Sequence, residues 1–141
     1  MQKLFETFDH KADIGIRGFG STIEKAFENG AKAMFSVIAN LRKVNAVRKV
    51  KIKGEAPDEA SLFVEWLNAL LTEADIKDLV FSKFKVKISK RNDDFQIIGE
   101  AWGEKRQEKH QLKTEVKAAT YSQLKVKKIR GRWVAQCIVD V

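Results

Sequence analysis

The sequence predicts an α+β fold, two main helices packed on a largely antiparallel sheet, and three observations carry that prediction. Apolar residues recur at helical spacing in two separate stretches, IEKAFENGAKAMFSVI and LFVEWLNALLTEAD. KFKVKIS alternates apolar and basic residues without a break, and FQIIGEAWGE follows it across a turn of Arg91, Asn92, Asp93 and Asp94. Beyond that hairpin no helical period returns, and TEVKAATYSQLKVKKI and RWVAQCIVDV read as two or three more strands. Consecutive strands favour antiparallel pairing, so a doubly wound parallel sheet is the weaker alternative.

Each element follows from local chemistry. FDHKADIGIRGFG opens the chain's regular structure as strand and turn, and its glycines are read as relief of backbone strain at a strand end. Ser21 and Glu24 have the spacing of a capping box, and Ile23, Phe27, Met34, Val37 and Ile38 trace one face of a helix from about Thr22 to about Asn40. Val50 and Ile52 alternate with lysines as a half-buried strand that Gly54 closes. Pro57 and Asp58 then start a second helix, which buries Phe63, Trp66, Leu67, Leu70, Leu71 and Ala74. The hairpin comes next, then a charged, irregular stretch from Lys105 to Lys113, then the closing strands with Gly131 in the last turn.

The chain has 141 residues, 44% of them hydrophobic and 33% charged, which fits a single domain over residues 1–141 with a core that requires no disulfide or structural metal. The formal charge of +8 favours encounter with anionic partners such as RNA or an acidic protein face. The one cysteine, Cys137, lies in the apolar run WVAQCIV and reads as a reduced core residue, which points to a reducing compartment. No apolar run is long enough to span a membrane and MQKLFETFDH has no signal-peptide core, so a cytoplasmic protein without membrane contact is expected.

Several chemistries are absent from the sequence. It holds no phosphate-binding loop, nucleophile elbow or H-E-x-x-H, and one Cys with two separated His argues against a zinc site. GIRGFG lacks the dinucleotide-binding spacing. His10 and His110 each lack a recognisable nucleophile or orienting partner and are read as structural. RKVKIK and KVKKIRGR suit phosphates, yet alternating lysines also protect an exposed strand, and no aromatics are interleaved with them. Asp13 has two readings: an Asx-turn with nearby amides, or a ligand to a hard divalent cation shared with Asp140 and the α-carboxylate of Val141. Lys117 either neutralises buried carboxylates and contacts phosphate or stands in solvent, and the abundance of lysines favours solvent.

Three segments in order, FDHKADIGIRGFGSTIEKAFENGAKAMFSVI, WGEKRQEKHQLKTEVKAATYSQLKV and the terminal CIVDV, resemble the archease family. The intervening LFVEWLNALLTEAD is similar to that family's second helix, so the match runs nearly end to end. The resemblance implies an accessory protein, not itself an enzyme, that activates the GTP-dependent ligase of tRNA splicing and RNA repair by promoting its guanylylation and multiple turnover. It also implies a divalent metal, calcium foremost, at Asp13, Asp140 and Val141, and a functional role for Lys117. His10 lies beside the first of these residues without an assigned role. Two positions depart from the family pattern: Lys11 stands where many members have Thr, and Ser122 where many have His. Two rivals remain at this stage, an independent basic RNA-binding or chaperone module and a metal-dependent phosphoesterase.

Overall fold

The computed structural model describes residues 3–141. Strands β1 (Phe5–His10) and β2 (Asp13–Gly20) precede helix α1 (Ile23–Ile38), and β3 (Arg48–Ala56) leads to α2 (Glu59–Lys77). The chain then forms β4 (Leu79–Arg91), β5 (Asp94–Lys105), the two-residue β6 (Ala118–Ala119), β7 (Lys125–Ile129) and β8 (Arg132–Asp140). The class is α+β with every strand pair antiparallel, and the strands divide between two sheets. One runs β1-β2-β8-β6, with β7 also on β8, and the other runs β3-β5-β4.

Both helices pack between the sheets. Helix α1 contacts β2 and β8 on one side and β4 on the other, and α2 meets β3 and β5 as well as β6. A helix in that position is apolar around most of its circumference, which is why Ala26, Phe27, Ala31, Met34 and Phe35 are all buried. Trp66 joins the helices, its Nε1 donating to the Phe27 carbonyl at 3.1 Å, and the Phe27 and Phe63 rings meet with centroids 5.0 Å apart. One contiguous core extends from Ile16 and Val139 of the first sheet to Val50 and Phe81 of the second.

Three local expectations are corrected. Thr22, not Ser21, caps α1: its backbone is extended and its Oγ1 accepts from Lys25 N at 3.1 Å, so the first turn has a single side-chain cap without the reciprocal glutamate. Gly54 does not close β3, which continues to Ala56; a side chain there would press on Ile97 and approach Glu65 of α2. The glycines of GIRGFG have negative φ and relieve no strain. They make room instead: Gly18 lies against the α1 backbone at Ala26 and Gly30, Gly20 lies against Lys25, and the Phe8 ring covers Gly15. The second helix starts as expected, with Asp58 Oδ1 accepting from Ser61 N at 2.7 Å, and it ends at Asp78 in the left-handed conformation.

The hairpin register has a consequence that the linear sequence conceals. Cross-strand pairing sets Trp102 between Lys49 and Lys83, Glu100 between Lys51 and Lys85, and Ile98 between Lys53 and Lys87. All six lysines are exposed on the face of the three-stranded sheet that points away from the helices. RKVKIK has no aromatic interleaved along the chain, as expected, but across the sheet Trp102 lies beside its Lys49.

Candidate metal centre at the chain terminus

The tight connection of β1 to β2 sets His10 opposite Asp13, and Lys11 accommodates the reversal at a φ of 55°. β2 runs antiparallel to β8 with Ile14 opposite Val139, so one further step along the register brings Asp13 level with Asp140. There Val141 N donates to Asp13 Oδ1 in a long contact of 3.4 Å, joining groups 128 residues apart. The Asp13 side chain thus takes a distant amide, not the local one of an Asx-turn. The Val141 side chain packs against the core, which anchors this residue beside Asp13.

On the other flank of β8, Lys117 N donates to the Asp140 carbonyl at 2.8 Å and Ala118 pairs with Asp140. Backbone from three segments, around residues 13, 117 and 140, therefore converges at one end of the five-stranded sheet. Asp13 and His10 are half-buried, and Asp140 and Lys117 are exposed. Among the described residues no three His, Cys, Asp or Glu side chains cluster as a metal site. Asp13 and Asp140 are the two side-chain carboxylates at this end of the sheet. An all-oxygen donor set of this kind suits a hard cation such as calcium or magnesium and offers a soft metal nothing.

One supporting residue escapes sequence reasoning. Asn68 of α2 reaches the β6 backbone twice, accepting from Ala119 N at 2.8 Å and donating to the Ala119 carbonyl at 3.2 Å. β6 is too short to hold itself, so this paired contact fixes the segment that begins at Lys117. Thr120 adds a second anchor, donating through both its amide and its hydroxyl to the Ile138 carbonyl at 3.0 and 2.8 Å. Asn68 is one of several polar residues along α2, so the sequence singles out neither its role nor its partner.

The other histidine lies elsewhere and is structural. His110 is fully buried, and Gln107 N donates to its Nδ1 at 3.0 Å, which leaves the ring proton on Nε2 to be donated to Glu104 at 3.0 Å. Glu104 also accepts from Asn45 N at 2.8 Å and pairs with Lys109 at 3.0 Å. The Asn45 amide, then His110 and Lys109, hold its carboxyl down at about 2, from an ordinary value of 4.5. This cluster pins the irregular segment after β5. Burial pushes the Cys137 thiol up to about 12, as its reading as an unreactive core residue requires.

The Archease protein family model matches residues 5–141. The chain belongs to the archease family. Protein archease of Pyrococcus furiosus is 45% identical over 141 residues, covering 99% of both chains, and that of Pyrococcus abyssi is 46% identical over 143 residues, again covering 99% of both. Among solved structures, the solution structure of Methanobacterium thermoautotrophicum protein 1598 is 37% identical with a TM-score of 0.88, covering 99% of this chain and 100% of that one. The crystal structure of an archease, possible chaperone, from Thermotoga maritima has a TM-score of 0.58 at 15% identity, covers 100% of both chains, and shares the fold alone. Archease membership accounts for the element order and the two antiparallel sheets. Among the described residues no helix is long and apolar enough to cross a membrane.

Proposed function

We propose that this chain is the accessory factor of a GTP-dependent RNA-splicing ligase, promoting the ligase's guanylylation and hence its multiple turnover. Family membership supports the class, and the convergence of three backbone segments supports the site: the Val141 amide donates to Asp13 Oδ1 at 3.4 Å and the Lys117 amide to the Asp140 carbonyl at 2.8 Å. Asp13, Asp140 and the Val141 carboxylate would hold a divalent cation, calcium foremost. When bound, the cation supplies positive charge to phosphate oxygens and order to the carboxylates around it. Lys117 presents an ammonium from the neighbouring segment, where it meets a phosphate or a ligase carboxylate at the same contact. Asn68 holds that segment against α2, so the lysine departs from a fixed backbone. His10 borders the site across the β1–β2 turn.

The test is formation of the ligase–GMP adduct under multiple-turnover conditions, at two salt concentrations, with the cognate ligase and GTP. Asp13→Ala, Asp140→Ala and Lys117→Ala are expected to fold and to lose stimulation, while Lys127→Ala, on exposed β7, stays active. Calorimetric titration with calcium should show a site in the wild type that Asp13→Ala removes. Equal, salt-sensitive deficits in Lys117→Ala and Lys127→Ala would reduce Lys117 to one member of a diffuse basic surface, because screening weakens steering more than close contact.

A further inference from the structure

The outer face of the three-stranded sheet plays no part in the chemistry described above. Its edge strands β3 and β4 carry two rows of lysines, Lys49, Lys51 and Lys53 on one side and Lys83, Lys85 and Lys87 on the other. Sheet geometry sets successive lysines of a row about 7 Å apart and the two rows about 10 Å apart. Between them the central strand presents Trp102, half-buried, and Ile98, 55% exposed. The Lys83 ammonium lies over the Trp102 ring, 4.7 Å from its centroid. A groove of about 450 Å³ continues the face past Ile98, where Lys53, Arg91 and Gln96 stand beside one carboxylate, Glu55. Of the six lysines, only Lys49 forms an ion pair among the described residues, with Glu100 at 3.2 Å, so the one central carboxylate is already engaged.

Lysines on edge strands discourage pairing with other chains, which accounts for the two rows. It does not account for a tryptophan and an isoleucine on the central strand, which has no free edge. We propose that this face binds single-stranded RNA, with the phosphates along the lysine rows and an unpaired base stacked on Trp102. Two parallel rows of positive charge match a polyanion, and an aromatic ring between them matches the flat face that only an unpaired base exposes. A folded acidic protein fits less well, since stable protein interfaces are depleted in lysine and centre on a larger apolar patch than Trp102 and Ile98 provide. The other basic concavity, about 750 Å³ on the outer face of the five-stranded sheet, gathers Lys125, Lys127, Arg130 and Arg132, but the aromatic in its lining, Phe19, is buried beneath Arg132 and offers no ring to a base.

The experiment is fluorescence anisotropy of a labelled oligouridylate titrated with the isolated full-length protein, without ligase, across a range of salt. Trp102→Ala should weaken binding about tenfold, and Trp102→Phe should recover most of it. Lys51→Ala with Lys85→Ala should weaken binding further and flatten the salt slope by about 1.4, the share of two phosphates on a single strand. Lys125→Ala with Lys127→Ala, on the opposite sheet, should change affinity less than twofold, and Asp13→Ala should leave it intact, which separates this proposal from the ligase reading. Unchanged melting of Trp102→Ala excludes a folding explanation. The proposal is overturned if the wild type binds no RNA at low salt or if Trp102→Ala binds like the wild type. It is equally overturned if an RNA duplex binds as well as the single strand or if the Lys125 and Lys127 changes abolish binding.

Discussion

On β8 of the five-stranded sheet, the outward-facing Val134, Gln136 and Ile138 are 8%, 4% and 2% exposed, nearly as covered as the inward Ala135, Cys137 and Val139. On β3 and β4 of the other sheet, the outward Lys51, Lys53, Lys85 and Lys87 all stand in solvent. The difference comes from neighbours. β8 has β2 on one side and β6 with β7 on the other, and the Phe8 ring lies over Gly15, directly across from Ile138. Among the described residues nothing covers the outer face of the three-stranded sheet. A strand covered on both faces reads as a continuous apolar run, as WVAQCIV does, whereas one-sided burial reads as alternation, as KFKVKIS does.

The sharpest way to break that comparison is through the glycines beneath the helices. Gly18→Val drives a side chain into the α1 backbone, which cannot yield, and should destabilise the fold by more than about 3 kcal/mol. Gly54→Ala on the other sheet meets the Ile97 Cγ2 atom at 3.1 Å and should cost about 1 kcal/mol or less. Denaturant midpoints compare the two, and equal losses would mean that the sheets press on the helices equally.

Next in size is the outer-face pair. Ile138→Ala should cost about 2–4 kcal/mol because its site is closed on both sides, and Ile98→Ala no more than about 0.5 kcal/mol. A large loss at Ile98 would reveal a covering of the three-stranded sheet and remove the free face on which RNA binding is proposed.

Asn68→Ala removes two hydrogen bonds to β6 and should cost about 1–2 kcal/mol. Its informative readout is ligase stimulation, which should fall further than that loss of stability predicts if Asn68 positions the Lys117 segment. Full stimulation at a temperature where the variant remains folded would detach α2 from the site.

The smallest effect is a pH dependence. Because the folded state holds the Glu104 carboxyl at about 2, against 4.5 ordinarily, it binds that proton more weakly than the unfolded chain does. The Glu104 contribution is therefore fully present above pH 4.5 and fades as pH falls towards 2. Glu104→Gln should be less stable than the wild type at neutral pH, with the gap narrowing through that acid window in melts taken at successive pH values. A constant gap would assign the stabilisation to packing around His110 and not to charge.

Both helices, the β4–β5 hairpin and the buried thiol were legible in the sequence because the signals that fix them are local. Apolar spacing in LFVEWLNALLTEAD, Asp58 before its first turn and Asn92 in the reversal each act within a few residues. Candidate ligands could likewise be named from segments that stand apart in the chain. Tertiary structure alone decided what those segments face. It divided the strands between two sheets, turned the Asp13 carboxylate to the Val141 amide, set Asn68 against Ala119 and placed Trp102 between two rows of lysines. Periodicity specifies which face of a strand is apolar, but it is silent on which strand lies alongside, because that choice depends on how all the apolar faces close one core together.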